Sequence, residues 1–185
     1  MSSPGSGCAQ IISSPANQPV HSLSWDPKSS LLALGSQNST KIEIWDSDRE
    51  ELILRKSGMS CVGVVAFNPS GERLLVSGQN SLSVFHCADW RVETWSGLQG
   101  AVQLVNWSND GERFVFAIKR DLYCIGFDSL LGGDSEAKVI RSFSSDIRQL
   151  TWHNDRLAIA VQDQDYQVML FNTQIVSLKI VFKTT

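Results

Sequence analysis

The sequence predicts an all-β fold, a β-propeller of about four four-stranded blades, from three observations. An aromatic-ended pattern occurs four times, a second aromatic column keeps the same period, and no run of ten or more residues holds a helical 3.6-residue apolar period. The first pattern is an apolar residue, two others, an apolar residue, one other and a bulky aromatic. It reads Val20-Leu23-Trp25, Val62-Val65-Phe67, Val102-Val105-Trp107 and Ile147-Leu150-Trp152, with aromatics 42, 40 and 45 residues apart. That is the period of four-stranded propeller blades, longer than the roughly 20 to 35 residues of leucine-rich, ankyrin and TPR units.

Each unit justifies its own elements in turn. The first strand closes on the aromatic. A turn follows at Asp26-Pro27-Lys28-Ser29, Asn68-Pro69-Ser70-Gly71, Ser108-Asn109-Asp110-Gly111 and the shorter His153-Asn154-Asp155. Pro presets φ, Asn and Asp bond the local backbone, and Gly accepts positive φ. The second strands are the apolar runs Leu31 to Leu34, Leu74 to Val76, Phe114 to Ile118 and Leu157 to Val161. The third strands alternate and end in an aromatic: Ile42-Ile44 before Trp45, Leu82-Val84 before Phe85, Leu122-Cys124 before a shifted Phe127, and Val168-Leu170 before Phe171. These aromatics are 40, 42 and 44 residues apart, in step with the first column. Weaker, more charged fourth strands follow at Glu51 to Arg55, Arg91 to Trp95, Lys138 to Ser142 and Ile175 to Phe182. An apolar first strand grading to a charged fourth one suits a radial blade, buried at the inside and wet at the rim.

The chain then divides into a Ser/Pro/Gly-rich segment 1–19, with an outer strand expected over 8–12, and blades over 20–60, 61–100, 101–145 and 146–185. The last blade is partial or divergent. Residues 128–137 read as a surface loop.

Composition narrows the function classes. Of 185 residues, 42% are apolar and 19% charged, so a core can form; 16 Lys and Arg against 19 Asp and Glu leave a net charge of −3. The basic residues are dispersed, which argues against electrostatic capture of nucleic acid or anionic lipid. Cys8, Cys61, Cys87 and Cys124, spaced by 53, 26 and 37 residues, match neither a CxxC metal site nor a dense disulfide framework. Reduced, packed thiols are expected. No signal peptide is expected at the N-terminus, and the apolar run Cys61 to Phe67 is far too short to span a membrane.

Catalytic chemistry is not expected either. There is no GxSxG elbow to present a nucleophile, and Gly132-Gly133 lacks a following GK[ST] for phosphate. His21, His86 and His153 fall at strand ends and turns. We therefore expect no enzyme activity, no cofactor and no metal site. The expected roles are structural for the anchors Trp25, Trp45, Phe67, Phe85, Trp107, Phe127, Trp152 and Phe171. Trp90 and Trp95 lie outside both columns, beside a charged outer strand, and are the candidates for a partner-binding patch.

The period, the aromatic closing each third strand and the Trp45-Asp46 dipeptide resemble the WD40 family of β-propellers. The family's Gly-His is absent from all four units, its turn Asp is matched only at Asp121 and Asp165, and its dipeptide is complete once. These are degenerate repeats held mainly by packing. More specifically, Gly7-Cys8-Ala9-Gln10, Pro19-Val20-His21-Ser22-Leu23-Ser24-Trp25-Asp26-Pro27, Ile44-Trp45-Asp46, Asn68-Pro69-Ser70-Gly71-Glu72-Arg73-Leu74-Leu75 and the Trp90/Trp95 pair resemble the WD-repeat nucleoporins. The resemblance implies a scaffold subunit of the nuclear pore complex, held at the nuclear envelope by an integral pore-membrane nucleoporin and serving nucleocytoplasmic transport. It implies protein partners, no direct nucleic acid and no membrane insertion; a short form that is not recruited would stay cytoplasmic. The alternative is a WD40 adaptor of another assembly, a ubiquitin-ligase substrate receptor or an RNA-processing platform. Four blades are too few for the seven-blade ring usual in the WD40 family, so the isolated chain is expected to be oligomeric or aggregation-prone.

Overall fold

The structure, a computed structural model, describes residues 19–36, 38–57, 61–127, 137–154, 156–162 and 167–172. Strands β1 (Ser22–Trp25), β2 (Leu31–Gly35), β3 (Lys41–Asp46) and β4 (Glu51–Ser57) form the first sheet. The second holds β5 (Val65–Phe67), β6 (Arg73–Ser77), β7 (Ser81–His86) and β8 (Val92–Ser96). The third holds β9 (Leu104–Trp107), β10 (Arg113–Ile118), β11 (Asp121–Gly126) and β12 (Lys138–Ser142), and the fourth β13 (Ile147–His153), β14 (Arg156–Val161) and β15 (Gln167–Asn172). Every sheet is an antiparallel meander in chain order, and the described residues include no helix. The first strands are the inner ones: β1 lies beside β5, and β9 beside β13. This is an all-β, β-propeller-like fold of four antiparallel sheets.

Strand alternation explains how four thin sheets make one core. On β6, Leu74 and Val76 point to the first sheet, joining Ala33, Ile42, Ile44, Val62, Val65, Phe67 and Phe85. Leu75 points the other way, into a cluster with Leu82, Val84, Trp107, Phe114, Phe116 and Ile125. On β10, Phe114 and Phe116 face the second sheet while Val115 and Ala117 face the fourth, beside Leu150, Leu157, Ile159 and Phe171. A second strand buried on both faces therefore has no polar side to show, which is why these strands read as unbroken apolar runs. The opening apolar residue of each pattern precedes its strand in the first three units, yet Val62 and Val102 are fully buried beneath it.

The turn chemistry works as the sequence suggests. The residue after each first-strand aromatic bonds the turn: Asp26 Oδ1 accepts Lys28 N–H at 2.9 Å, Asn68 Oδ1 accepts Arg73 N–H at 3.0 Å, and Ser108 Oγ accepts Arg113 N–H at 3.0 Å. Gly71 and Gly111 take φ of +74° and +73°. A Cβ at Gly71 would strike Asp26 Oδ1 of the preceding sheet, so this turn needs glycine twice over.

Boundaries differ by a residue or two at strand ends, where pairing rather than hydrophobicity decides. β4 runs to Ser57 and β8 is shifted to Val92–Ser96. The strands expected over 8–12 and from Ile175 to Phe182, and residues 128–136 of the expected loop, lie outside the described residues.

Candidate functional site: tryptophans and open sheet faces

The aromatic anchors do not share one environment. Phe67, Phe85, Trp107 and Phe171 are buried between sheets as expected from their columns. Trp107 is the best held: its ring lies edge-on to Phe114 at 5.0 Å and stacked with Phe127 at 6.0 Å, and its Nε1–H donates to Ala66 O at 3.0 Å. Phe127 also carries the Arg73 guanidinium over its ring at 4.5 Å, while Arg73 donates to Gly111 O at 3.1 Å. The two contacts of this one side chain tie the second sheet to the third.

Trp25 departs from the expectation of a buried anchor. It is 55% exposed and Leu23 is 62% exposed. Both project from the face of the first sheet that no other sheet covers, so the motif position is filled but the neighbour that would bury it is not there. Trp152 is half-buried, with its Nε1–H donated locally to Asn154 O. Trp45 is half-buried too, and its Nε1–H is buried without a partner, the one such side-chain atom among the described residues. The residue six places before Trp45 is Ser39 rather than Asp, in keeping with a broken tetrad. Asp46, the other half of the dipeptide, does local work instead. It accepts the Ser30 hydroxyl at 2.9 Å and the Asp48 and Arg49 N–H groups, and these bonds hold its carboxyl below the usual carboxylate range.

The tryptophan pair chosen as a partner patch is drawn into the clusters between sheets. Trp90, at φ +57°, packs on the cluster between the first and second sheets. Trp95 is half-buried, edge-on to Phe114 at 6.2 Å and to Phe127 at 6.3 Å. The pair is therefore split between two interfaces rather than united on one surface. Alternation on β8 explains Trp95: Val92, Thr94 and Ser96 turn outward and Glu93 and Trp95 inward. Replacing Trp95 by Ala is expected to cost about 1 to 3 kcal/mol, less than a fully buried ring. Urea unfolding measures it, and an unchanged midpoint would return Trp95 to the surface.

The histidines have local partners. His86 Nε2 lies 2.9 Å from Glu93 Oε1, and His21 Nδ1 lies 3.1 Å from Pro19 O. Among the described residues no cluster of three or more His, Cys, Asp and Glu could hold a metal, and no helix is long and apolar enough to cross a membrane. Burial pushes the Cys87 thiol up to about 12, with Asp26 and Glu72 adding to the effect. At pH 8 its thiolate fraction should fall roughly a thousandfold below that of an ordinary thiol. Iodoacetamide mass spectrometry should find Cys87 slow to label in the folded chain and fast in urea. Because the folded value lies above the unfolded one, this thiol also favours folding below about pH 8.5 and loses that contribution progressively as pH rises toward 12.

What stands out as available surface is the pair of uncovered sheet faces. Leu23, Trp25 and the nearby Val20 lie at one end, and Val168 (56% exposed) and Leu170 (39%) at the other.

No family model matches the chain. Among solved structures it is similar to a hydrazine synthase chain of Kuenenia stuttgartiensis, with a TM-score of 0.68 at 16% identity, covering 87% of this chain and 53% of that one. The chain thus spans about half the length of the structure it matches, and a likeness at this identity supports the all-β fold and no particular activity.

Proposed function

We propose that the chain is a non-enzymatic WD-repeat scaffold module of the nuclear pore complex, acting through protein-protein contacts at the nuclear envelope in support of nucleocytoplasmic transport. Its sheets would be blades of a WD40-type propeller whose ring this chain does not close by itself. The observation that carries an interaction role is the exposure of apolar repeat positions on both end sheets, where the same positions inside the stack are buried. The pore itself comes from the sequence: the stretch from Gly7 to Phe127 resembles aladin, a WD-repeat nucleoporin, in its Gly-Cys-Ala-Gln entry and its Trp90/Trp95 spacing. The name of the hydrazine synthase neighbour brings no chemistry with it at 16% identity.

The test is location and company. A fluorescently tagged chain should mark the nuclear rim and co-purify with nuclear pore subunits, an integral pore-membrane nucleoporin among them. Diffuse cytoplasmic signal with no pore subunit enriched overturns this reading. Enrichment of ubiquitin-ligase subunits, or submicromolar RNA affinity at physiological salt, would favour the adaptor alternative instead.

A further inference from the structure

We infer that the two end faces are complementary to each other, and that a second copy of this chain docks head to tail through them, the first sheet of one copy on the fourth sheet of the other.

The argument is positional. Between the first and second sheets, Ser22 and Ser24 on β1, Ala33 on β2, and Ile42 and Ile44 on β3 form one wall. Val65 and Phe67, Leu74 and Val76, and Phe85 form the other. On the uncovered face of the fourth sheet the register aligns Gln149 and Thr151, Ala160 and Ala158, and Val168 and Leu170. That is the first wall again, polar on the inner strand, small on the second and branched on the third. On the uncovered face of the first sheet stand Leu23 and Trp25, Leu34 and Leu32, and Trp45. That is the second wall again. Ile42 and Ile44 are at most 1% exposed under the second sheet, whereas Val168 and Leu170 lie open.

The backbone makes the same statement. Val65 N–H and Phe67 N–H point off the free edge of β5 and are accepted at 2.9 Å by Ser22 Oγ and Ser24 Oγ. Between the third and fourth sheets, Asn106 Oδ1 likewise accepts Trp152 N–H at 3.1 Å. Asn106 and Ser24 stand immediately before their aromatic, the place Thr151 holds in the fourth sheet. Leu23 and Trp25 hold the places of Val65 and Phe67. The acceptors sit at one end of the chain and the matching β1 N–H edge at the other. The partnerless Trp45 indole N–H belongs to this same first-sheet face.

Of the surfaces described, only the opposite end of this chain repeats the wall each face lacks, so the occupant is a second copy. A head-to-tail contact closes when rotation permits, and two copies supply twice four sheets, within the four to eight blades that propellers adopt. This inference does not depend on the nuclear pore reading.

The test is the mass of the purified chain in solution by light scattering, with two variants at exposed positions, Leu23→Asp and Val168→Asp. The wild-type chain of 20.5 kDa should run at twice that mass. Each variant should keep the wild-type circular dichroism and weaken the dimer at least tenfold, because every contact then buries an aspartate. Mixing the two variants should restore a one-to-one dimer, since one unaltered pair of faces remains. A wild-type monomer at tens of micromolar overturns the inference, as does either variant that stays dimeric alone, or a mixture that remains monomeric. Failure here leaves rim location and pore co-purification to be judged on their own.

Discussion

Replacing Trp107 by Ala is expected to remove about 3 to 5 kcal/mol of stability and most of the soluble protein. The ring is 7% exposed, touches Phe114 and Phe127 in two geometries, and sits where the second and third sheets meet. Its loss would leave a void on a ladder of aromatics that continues through Phe116 to Tyr123, stacked at 4.9 Å. Trp107→Phe separates the parts: it keeps a ring in the cluster and drops only the bond from Nε1 to Ala66 O. That variant should lose about 1 to 2 kcal/mol, the cost of leaving a partly buried carbonyl without its donor plus a small volume change. Urea midpoints of the three chains measure both values. A Trp107→Ala chain within about 1 kcal/mol of wild type would mean that the sheets are not held together at this cluster.

The aromatic columns were readable because period and alternation are properties of the chain itself. Phe67 and Trp107 could be placed between sheets from spacing alone, and so could the apolar runs of β6 and β10, whose two buried faces leave no polar alternation. Burial at the ends is a different kind of quantity. Trp25 occupies the same motif position as Phe67 and carries the larger ring, yet it is 55% exposed because nothing covers that face of the first sheet. No pattern inside a unit encodes whether its neighbour is present.

The polar stitching between sheets was hidden for another reason. Ser24, Ala66, Asn106 and Thr151 form a column just before the aromatics, and in a strand that place reads as ordinary outward alternation. Only the register shows that Ser24 and Asn106 accept the N–H of the next sheet's aromatic. Ala66 has no side-chain acceptor to offer, and there the Trp107 indole reaches the Ala66 carbonyl instead. A column of small and polar residues at a fixed offset from the anchors was the signal available. Trp90 and Trp95 misled in the opposite sense: absence from both columns suggested a surface, but Trp95 falls on an inward phase of β8.

A second large effect is expected at a residue with no aromatic at all. Ser77 ends β6 fully buried, and its hydroxyl joins two segments of chain: it accepts Val64 N–H at 2.8 Å and donates to Val102 O at 2.9 Å. Val102 is the buried opening residue of the third unit, so this one oxygen fixes the entry to β5 and links the second unit to the third. Ser77→Ala removes both bonds at once and gives neither backbone group a new partner, which should cost about 2 to 3 kcal/mol. Ser83→Ala is the control, because Ser83 is also buried but bonds only Thr94 Oγ1, whose exposed residue can turn to water. It should cost under about 1 kcal/mol. Hydrogen exchange distinguishes a local loss from general loosening: in Ser77→Ala the Val64 amide should lose more protection than the amides at the centre of β10. Equal loss at both places, or two serine variants of equal stability, would show that the Ser77 hydroxyl does not fasten these two units together.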